Sequence, residues 1–377
     1  MWEKLSHNFT PNIFKVAENF LKFRDITFDG INKVFYPLNS EITRKEIISF
    51  PLYIIEKKEN MNLKSLICYV ALGILLMSSG IVASCDSFNE DLPECRLSVK
   101  FKYDYNMEFA DAFHAQVDKV ELYVFDKNGK YLFKQAEEGS ALSTGNYLME
   151  VELPVGQYQF MAWAGARDSY DITSLTPGVS TLTDLKLKLK REASLIINKR
   201  METLWYGEVI NVNFDGTVHQ TETINLIRDT KIVRFGFQSY TGSWTLDMND
   251  YDYEIIESNG HLGHDNSLLD DDVLSFRPYY MEQKDPATAY VDMNTMRLME
   301  DRKTRLVLTE KASGKRVFDI NLIDYLAMTN AEGKNLSTQE YLDRQSNYHI
   351  IFFLSESWLA VQIVVNGWVH RIQEENQ

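Results

Sequence analysis

Residues 117–135, VDKVELYVFDKNGKYLFKQ, decide the fold class of this chain. Apolar side chains recur at every second position from Val120 to Val124, which is the period of a β-strand. A second apolar run follows Asn128-Gly129, and Asn-Gly between two such runs is a strong hairpin signal because both residues tolerate a positive φ. The stretch therefore predicts two antiparallel strands joined by a tight turn.

The same pattern extends on both sides of this hairpin. Residues 96–106 (RLSVKFKYDYN) and 182–191 (LTDLKLKLKR) alternate in the same way, and residues 147–165 (YLMEVELPVGQYQFMAWAG) read as two strands broken at Leu153-Pro154-Val155-Gly156. Short strands separated by Gly, Pro and Asn favour a β-sandwich over a βαβ fold. The sequence predicts an all-β protein.

The pattern restarts at residues 223–238, TINLIRDTKIVRFGFQ. Further strands are predicted at Tyr251–Glu257, Thr304–Thr309, Arg316–Leu322, Tyr348–Ser355 and Ala360–Asn366. Residues 258–272 and 279–292 resemble loops. One helical segment is predicted in residues 321–345, where Ser337 precedes Glu340 at the spacing of a capping box.

Residues 61–85, MNLKSLICYVALGILLMSSGIVASC, have the layout of a secretory signal: a basic start at Lys64, an apolar middle and small residues at the end. Val82-Ala83-Ser84-Cys85 resembles the lipobox of bacterial lipoproteins. We predict cleavage between Ser84 and Cys85 and a lipid on the Cys85 thiol, because two or three acyl chains give stable membrane anchoring. The alternative is a transmembrane helix of about 20 residues.

Residues 1–60 precede this signal and show no pattern of a domain with its own core. A secretory signal normally begins at the initiator methionine, and Met61 supplies one. We therefore hypothesise that translation starts at Met61 and that residues 1–60 are a non-native upstream extension. Peptides from residues 1–60 in the precursor would contradict this.

Charge and cysteine content limit the remaining classes of function. Residues 85–377 contain 29 basic and 46 acidic residues, a net charge of −17. So acidic a chain argues against nucleic-acid binding and against a basic grip on anionic lipid. Once Cys68 leaves with the signal and Cys85 carries lipid, Cys95 alone remains, so no intramolecular disulfide is possible. Residues 85–95 form an acidic linker.

Catalytic motifs are absent from the sequence. His261 and His264 lie near Asp265 and Asp270–Asp272, but two histidines three apart in a Gly- and Asn-rich stretch favour a polar loop over a metal site. No HExxH, GxSxG or glycine-rich phosphate loop occurs. We predict a protein that is not an enzyme and has no cofactor or metal.

Several stretches together resemble a known family: FKYDYN, VELYVFDKNGKYL, LPVGQYQFMAWAG and the closing QEYLDRQSNYHIIFFLSESWLAVQIVVNGWVHR. They resemble the fimbrillin-A-associated anchor proteins of Bacteroidetes. The resemblance implies two tandem transthyretin-like β-sandwich domains, at residues 96–226 and 227–377, with a short helical insertion in the second. It also implies an outer-membrane lipoprotein that holds the base of a fimbria, limits its length and binds a fimbrillin. The extension of residues 1–60 departs from that pattern.

Two other functions are compatible with the sequence. One is a fimbrillin-type structural subunit, which a trypsin-like protease would cut after Arg96; such a cut would release the protein from its lipid. The other is a surface glycan-binding lipoprotein, which needs a platform of exposed aromatic side chains.

The final strand, WLAVQIVVNGWVHRI, has two interpretations. It is either simply the last strand of the second sandwich or the place where the fimbrial subunit pairs along an edge. In the second case Trp368, Val369 and Ile372 are the predicted contacts. Trp163 and Trp368 both lie near the ends of apolar strands, so we expect core positions for both, and Tyr158 is expected at a corner just after Gly156.

Overall fold

The predicted hairpin around Gly129 is present, with Lys119–Asp126 and Tyr131–Glu138 paired antiparallel. The computed structural model describes residues 95–216, 219–242, 244–328, 335–357 and 360–371. Within these ranges the chain consists mainly of strands, and the helices are short. The predicted all-β fold class is confirmed.

In the described ranges, ten strands precede residue 229: β1 (Arg96–Lys102), β2 (Lys119–Asp126), β3 (Tyr131–Glu138), β4 (Met149–Val151), β5 (Gly156–Ala164), β6 (Tyr170–Ile172), β7 (Leu187–Leu189), β8 (Ile196–Ile197), β9 (Trp205–Phe214) and β10 (His219–Arg228). Those that follow are β11 (Lys231–Ser239), β12 (Tyr251–Glu257), β13 (His261–Leu262), β14 (Leu274–Phe276), β15 (Tyr280–Asp285), β16 (Thr288–Thr295), β17 (Arg305–Glu310), β18 (Arg316–Asn321), β19 (Asn347–Leu354), β20 (Ala360–Val365) and β21 (Trp368–Arg371). The α-helices are α1 (Phe113–Gln116), α2 (Leu322–Leu326) and α3 (Thr338–Arg344).

The first sheet has seven strands in the order β3-β2-β5-β9-β10-β1-β4. Strand β1 lies in its interior, because all seven of its residues pair parallel with β10 and Leu97–Val99 pair antiparallel with β4. The two outer strands of this sheet approach each other: the Gln135 side-chain amide in β3 donates to the Glu150 backbone carbonyl in β4 at 3.0 Å. The sheet is therefore curled, and one of its faces encloses a set of side chains.

The first core lies inside this curled sheet. Alternate residues of β2 face it, and Val120, Leu122 and Val124 are fully buried there beside Phe101 and Phe160. Tyr123 and Phe125 of β2 face the opposite way and belong to a second core. The two-residue period in the sequence thus arises because successive side chains of the strand point to opposite faces of the sheet.

The second core lies between a six-stranded sheet (β15-β16-β11-β19-β20-β21) and a five-stranded sheet (β18-β17-β12-β14-β8). Aromatic rings from the two sheets meet in it: Phe237 and Tyr253 lie 5.4 Å apart between ring centroids, and Phe318 and Phe352 lie 4.9 Å apart. Two sheets packed face to face over buried side chains form a β-sandwich.

The boundary predicted between residues 226 and 227 falls inside β10, which continues to Arg228. Strands from the two sides of it also pair with each other. Strand β8 pairs with β14, and β7 pairs with β13 in a three-stranded sheet completed by β6. The second core likewise takes Trp163 and Phe276 from the two sides of that boundary.

The helical prediction for residues 321–345 is confirmed by α2 and α3. The side-chain oxygen of Ser337 accepts from the backbone N–H of Glu340 at 3.1 Å, so Ser337 caps α3. The loop prediction for residues 279–292 is wrong, because β15 and β16 form a hairpin there. Polar side chains mark this segment because every residue of β15 is exposed.

Candidate contact surface at the last strand

The carboxyl-terminal stretch is a hairpin and not the single strand predicted from its alternation. Strands β20 and β21 pair antiparallel across Asn366-Gly367. Both turn residues have a positive φ, 50° for Asn366 and 90° for Gly367, which is the conformation that a two-residue Asn-Gly turn requires. The chain therefore reverses before Trp368 and places β21 at the margin of the six-stranded sheet.

Trp368 and Val369 are exposed, with 56% and 57% of their surfaces accessible. The predicted core position of Trp368 is therefore wrong: it follows an apolar strand in sequence, but it lies at the sheet edge, where no further strand of the described residues covers it. Successive side chains of a strand point to opposite faces, so Trp368 and Val369 lie on opposite sides of the sheet. Ile372, the third predicted contact, lies outside the described residues.

The backbone of β21 has an open side. Among the described strands it pairs with β20 alone. Val365 and Trp368 flank the two-residue turn, so they form the first hydrogen-bonded pair of the ladder. Antiparallel ladders alternate, and the N–H and C=O of Val369 are consequently directed away from β20. This is the geometry with which an edge strand accepts another strand.

The opposite edge of the same sheet, strand β15, is different. Its residues include Glu282, Lys284 and Asp285, and its pairing with β16 is interrupted by a bulge between Gln283 and Asp285. Charged side chains and bulges are features that prevent edge strands from pairing with other chains. Of the two edges, β21 is thus the one suited to strand addition.

Asn366 fixes the hairpin to the body of the protein. Its side-chain oxygen accepts from the backbone N–H of His349 at 2.8 Å, and its side-chain amide donates to the Tyr341 hydroxyl at 3.1 Å. Its backbone N–H donates to the His349 carbonyl at 2.7 Å. Tyr341 belongs to α3 and is buried. The turn that starts β21 is therefore held by α3.

Helix α3 also contacts the region around the first sheet. Asp343 accepts two hydrogen bonds from the Arg297 guanidinium, both at 2.9 Å. The Arg344 guanidinium lies 4.0 Å from the ring centroid of Tyr105 and 4.3 Å from that of Phe109, and donates to the Asp104 carbonyl at 3.2 Å. Tyr341 and Arg344 thus connect the last hairpin with residues that closely follow β1, while Asp343 holds Arg297.

Buried charges surround this helix. The Lys231 ammonium donates to the carbonyls of Asp343 and Gln345, both at 2.9 Å. Asp229 accepts from the Asn266 side-chain amide at 3.0 Å. Burial raises the pKa of Asp229 to about 7 and lowers the pKa of Lys231, because desolvation disfavours each charged form. Asp229 and Lys231 stand out in the sequence as charges between two strongly apolar strands, but alternation alone does not predict the network that they form.

The amino-terminal end of the described chain carries Cys95 and Arg96. The Cys95 thiol is exposed and donates to the Gly216 carbonyl, with 2.6 Å between sulfur and oxygen. Arg96 is the first residue of β1 and forms an exposed ion pair with Glu150 at 3.3 Å. The predicted lipid site Cys85 and the cleavage residue Ser84 lie outside the described residues, as do residues 1–60 and most of the acidic linker.

Two residues near Gly156 lie where the sequence places them. Trp163 is fully buried, and its ring meets that of Tyr206 edge-on at a centroid distance of 5.5 Å. The Tyr158 hydroxyl donates to the Pro154 carbonyl at 2.7 Å. This bond closes the turn that precedes β5, as expected of a corner tyrosine.

The His261–Asp272 region is tied down by contacts within the protein. Asp271 pairs with the Arg191 guanidinium at 2.6 Å, and the His261 ring lies 3.1 Å from the Asp270 carbonyl. In the part of the chain that the structure describes, no three His, Cys, Asp or Glu side chains come together as metal ligands. No helix of the described residues has the length and hydropathy needed to cross a membrane.

These features define an all-β protein with one curled sheet, one sandwich and an open edge at its last strand. The family model of fimbrillin-A associated anchor proteins Mfa1 and Mfa2 matches residues 92–374. This chain belongs to that family.

Similar proteins come from several organisms. The minor fimbrium anchoring subunit Mfa2 of Porphyromonas gingivalis is 24% identical over 329 residues, covering 83% of this chain and 97% of that protein. A solved structure of an adhesin from Bacteroides ovatus is 30% identical, with a TM-score of 0.68, and the match covers 76% of this chain and 99% of that one. The solved structure of P. gingivalis Mfa2 has a TM-score of 0.60 at 21% identity, covering 73% and 98% of the two chains.

Proposed function

We propose that the protein is an outer-membrane lipoprotein that anchors the base of a fimbria and limits its length. Lipid on Cys85 holds it in the membrane, the protein faces outward, and the most basal fimbrial subunit is its partner. Family membership supports the anchoring role, and the curated relative is named as an anchoring subunit of a fimbrium. The lipobox-like Val82–Cys85 supports the lipid attachment.

The position of β1 is the observation that carries the proposal. This strand fills the space between β10 and β4, and Val99 and Phe101 are buried in the first core. Cutting after Arg96 would separate Leu97 and all later residues from the lipid site, but Leu97–Lys102 would stay paired between β10 and β4, so the cut would open no groove in the first sheet. An anchor needs the connection to its lipid intact, whereas a polymerising subunit needs a cut that frees a groove for the next subunit. The filled sheet therefore favours the anchor over the fimbrillin-type subunit.

The contact with the fimbria is proposed at β21. Strand β1 already occupies the interior of the first sheet, while β21 offers an open backbone edge and the exposed side chains Trp368 and Val369. Ile372 follows within one residue of this strand. Addition of a strand from the fimbrial subunit would satisfy the free backbone groups and cover these side chains.

Replacement of Cys85 by alanine tests the lipid attachment. The Cys85→Ala variant should lose metabolic labelling by a clickable fatty acid and leave the membrane fraction, since an acidic surface does not bind anionic lipid by itself. The matched control is Cys95→Ala, which removes the exposed thiol and should keep the label. Full labelling of the Cys85→Ala variant would exclude Cys85 as the lipid site.

Crosslinking on intact cells tests the partner. A photoreactive side chain at position 368 should capture a fimbrial subunit, whereas the same group at position 280 on β15, also exposed, should not. Fimbrial length in cells that carry a deletion of the gene tests length control, with longer and detached fimbriae as the expected result. Capture from position 280 alone would place the contact on the other edge.

A further inference from the structure

The six-stranded sheet continues its side-chain rows to the open edge on both of its faces. On the face toward the second core, one row runs from Val291 through Phe235, Ile350 and Val365 to Trp368. The first four are fully buried, and Trp368 is the one that is exposed. The core face of the sheet therefore ends in an apolar side chain with no neighbouring strand on its outer side among the described residues.

The opposite face carries a second apolar row directly beside the first. It runs from Tyr290 through Gly236, Ile351 and Val364 to Val369. Its members belong to neither core. Tyr290 and Ile351 close over Gly236, where an added Cβ would lie 2.9 Å from the Tyr290 ring and 3.2 Å from Ile351. This row also ends in an exposed apolar side chain, Val369.

A strand added to β21 would extend both rows by one side chain each. Opposite Trp368 it would place a side chain on the core face, and opposite Val369 one on the outer face. A strand with alternating apolar and polar residues could match only one of the two rows. Matching both requires apolar side chains at consecutive positions.

We propose that the strand received at β21 is apolar on both faces, with at least two consecutive β-branched or aromatic residues opposite Trp368 and Val369. This inference rests on the proposed function and specifies the partner: an extended segment of the basal fimbrial subunit. The backbone of Val369 gives the ladder hydrogen bonds, and Trp368 and Val369 select the side chains.

Two synthetic peptides test the proposal with the purified protein lacking its signal. Both have six central residues between pairs of lysines; one carries alternating valine and isoleucine, and the other has threonine at every second position. Binding is measured by fluorescence anisotropy at 0.15 M salt, so that the identical lysines contribute equally. The doubly apolar peptide should bind about 10-fold more tightly. A tenfold change in Kd corresponds to about 1.4 kcal/mol, which burial of a small apolar area supplies.

Substitutions in β21 test the contribution of each face of the sheet separately. Val369→Thr keeps the shape and β-branching of the side chain and should weaken binding of the doubly apolar peptide by about 10-fold, as should Trp368→Thr. The control is Val155→Thr, at an equally exposed valine of the Leu153–Gly156 turn, which should bind like the original protein. Hydrogen exchange of the Val369 amide should slow in the complex.

Equal affinity for the two peptides, failure of both to bind at about 1 mM, or an unchanged affinity of Val369→Thr would overturn the proposal. Crosslinking separates this failure from failure of the proposed function. Capture of a fimbrial subunit elsewhere on the protein would leave the anchoring role intact and remove the role of β21. If the protein distinguishes the two peptides but captures no fimbrial subunit, β21 remains a strand-binding surface and the fimbrial subunit is excluded as its partner.

Discussion

Strands β1 and β21 are the first and last strands of the described chain, and they have opposite environments. Both lie in stretches that the sequence predicts to be strands. Strand β1 has a partner on each side and is buried, whereas β21 has a partner on one side and exposes Trp368 and Val369. The two strands differ in the number of neighbouring strands with which they pair. One end of the chain is thus closed by pairing, and the other stays available for it.

The largest expected difference concerns two tryptophans that look equivalent in the sequence. Trp163→Ala should lower the free energy of unfolding by about 3–5 kcal/mol, because it empties a fully buried site in the second core. Trp368→Ala should change it by less than about 1 kcal/mol, because the ring is already exposed. Urea denaturation of the two variants measures both values. A similar loss in both would mean that β21 is covered in solution.

A second difference concerns the segment between β10 and β11, which joins the two sheets. The pKa of a carboxyl group can be higher in the folded than in the unfolded chain. That group then stabilises the protein most at low pH, and this stability is lost as the pH rises from the unfolded pKa to the folded pKa. For Asp229 that window runs from 3.8 to about 7. Relative to Asp229→Asn, the original protein should lose stability across this window by up to about 4 kcal/mol, at roughly 1.4 kcal/mol for each pKa unit.

Thermal unfolding of both proteins at several pH values gives this difference directly. The matched control is Asp126→Asn, at a half-buried carboxylate of the first hairpin that accepts backbone N–H groups instead of lying in a buried network. Parallel stability curves for the original protein and Asp229→Asn between pH 4 and 7 would contradict the raised pKa.

The smallest expected difference separates the two Asn-Gly turns. Asn366→Ala should destabilise the last hairpin by about 1–2 kcal/mol, because alanine resists a positive φ and cannot replace the bonds to His349 and Tyr341. Asn128→Ala should change stability by less than about 0.5 kcal/mol, since Asn128 is exposed and has no positive φ. Hydrogen exchange at the two hairpins measures both changes in stability. Equal destabilisation by Asn366→Ala and Asn128→Ala would contradict this prediction.

The two Asn-Gly turns also indicate what sequence patterns can predict. At residues 128–129 two long apolar runs made the hairpin visible, although only Gly129 takes the positive φ. Its turn is closed by Asp126, whose carboxylate accepts from the N–H groups of Asn128 and Lys130. At residues 366–367 the following strand has four residues, too few for a period, and the stretch was interpreted as one strand.

Pairing between distant strands could not be predicted from the sequence, for a different reason. The parallel alignment of β1 with β10 joins residues more than 120 positions apart, and alternation does not specify a partner. The same limit explains Trp368, because a pattern of apolar residues does not distinguish an interior strand from an edge. The contact predicted at Trp368 and Val369 remains a prediction, now with a defined geometry.

The parallel pairing of β1 has a mechanical consequence. If Cys85 carries lipid as proposed, a pull on that lipid enters the described chain at Cys95 and then Arg96, the first residue of β1. Along the strand, the seven positions paired with β10 and the three paired with β4 resist together, in shear, instead of opening one after another. Under tension, the time for which the anchor holds is then set by the rate at which β1 slides out of its sheet.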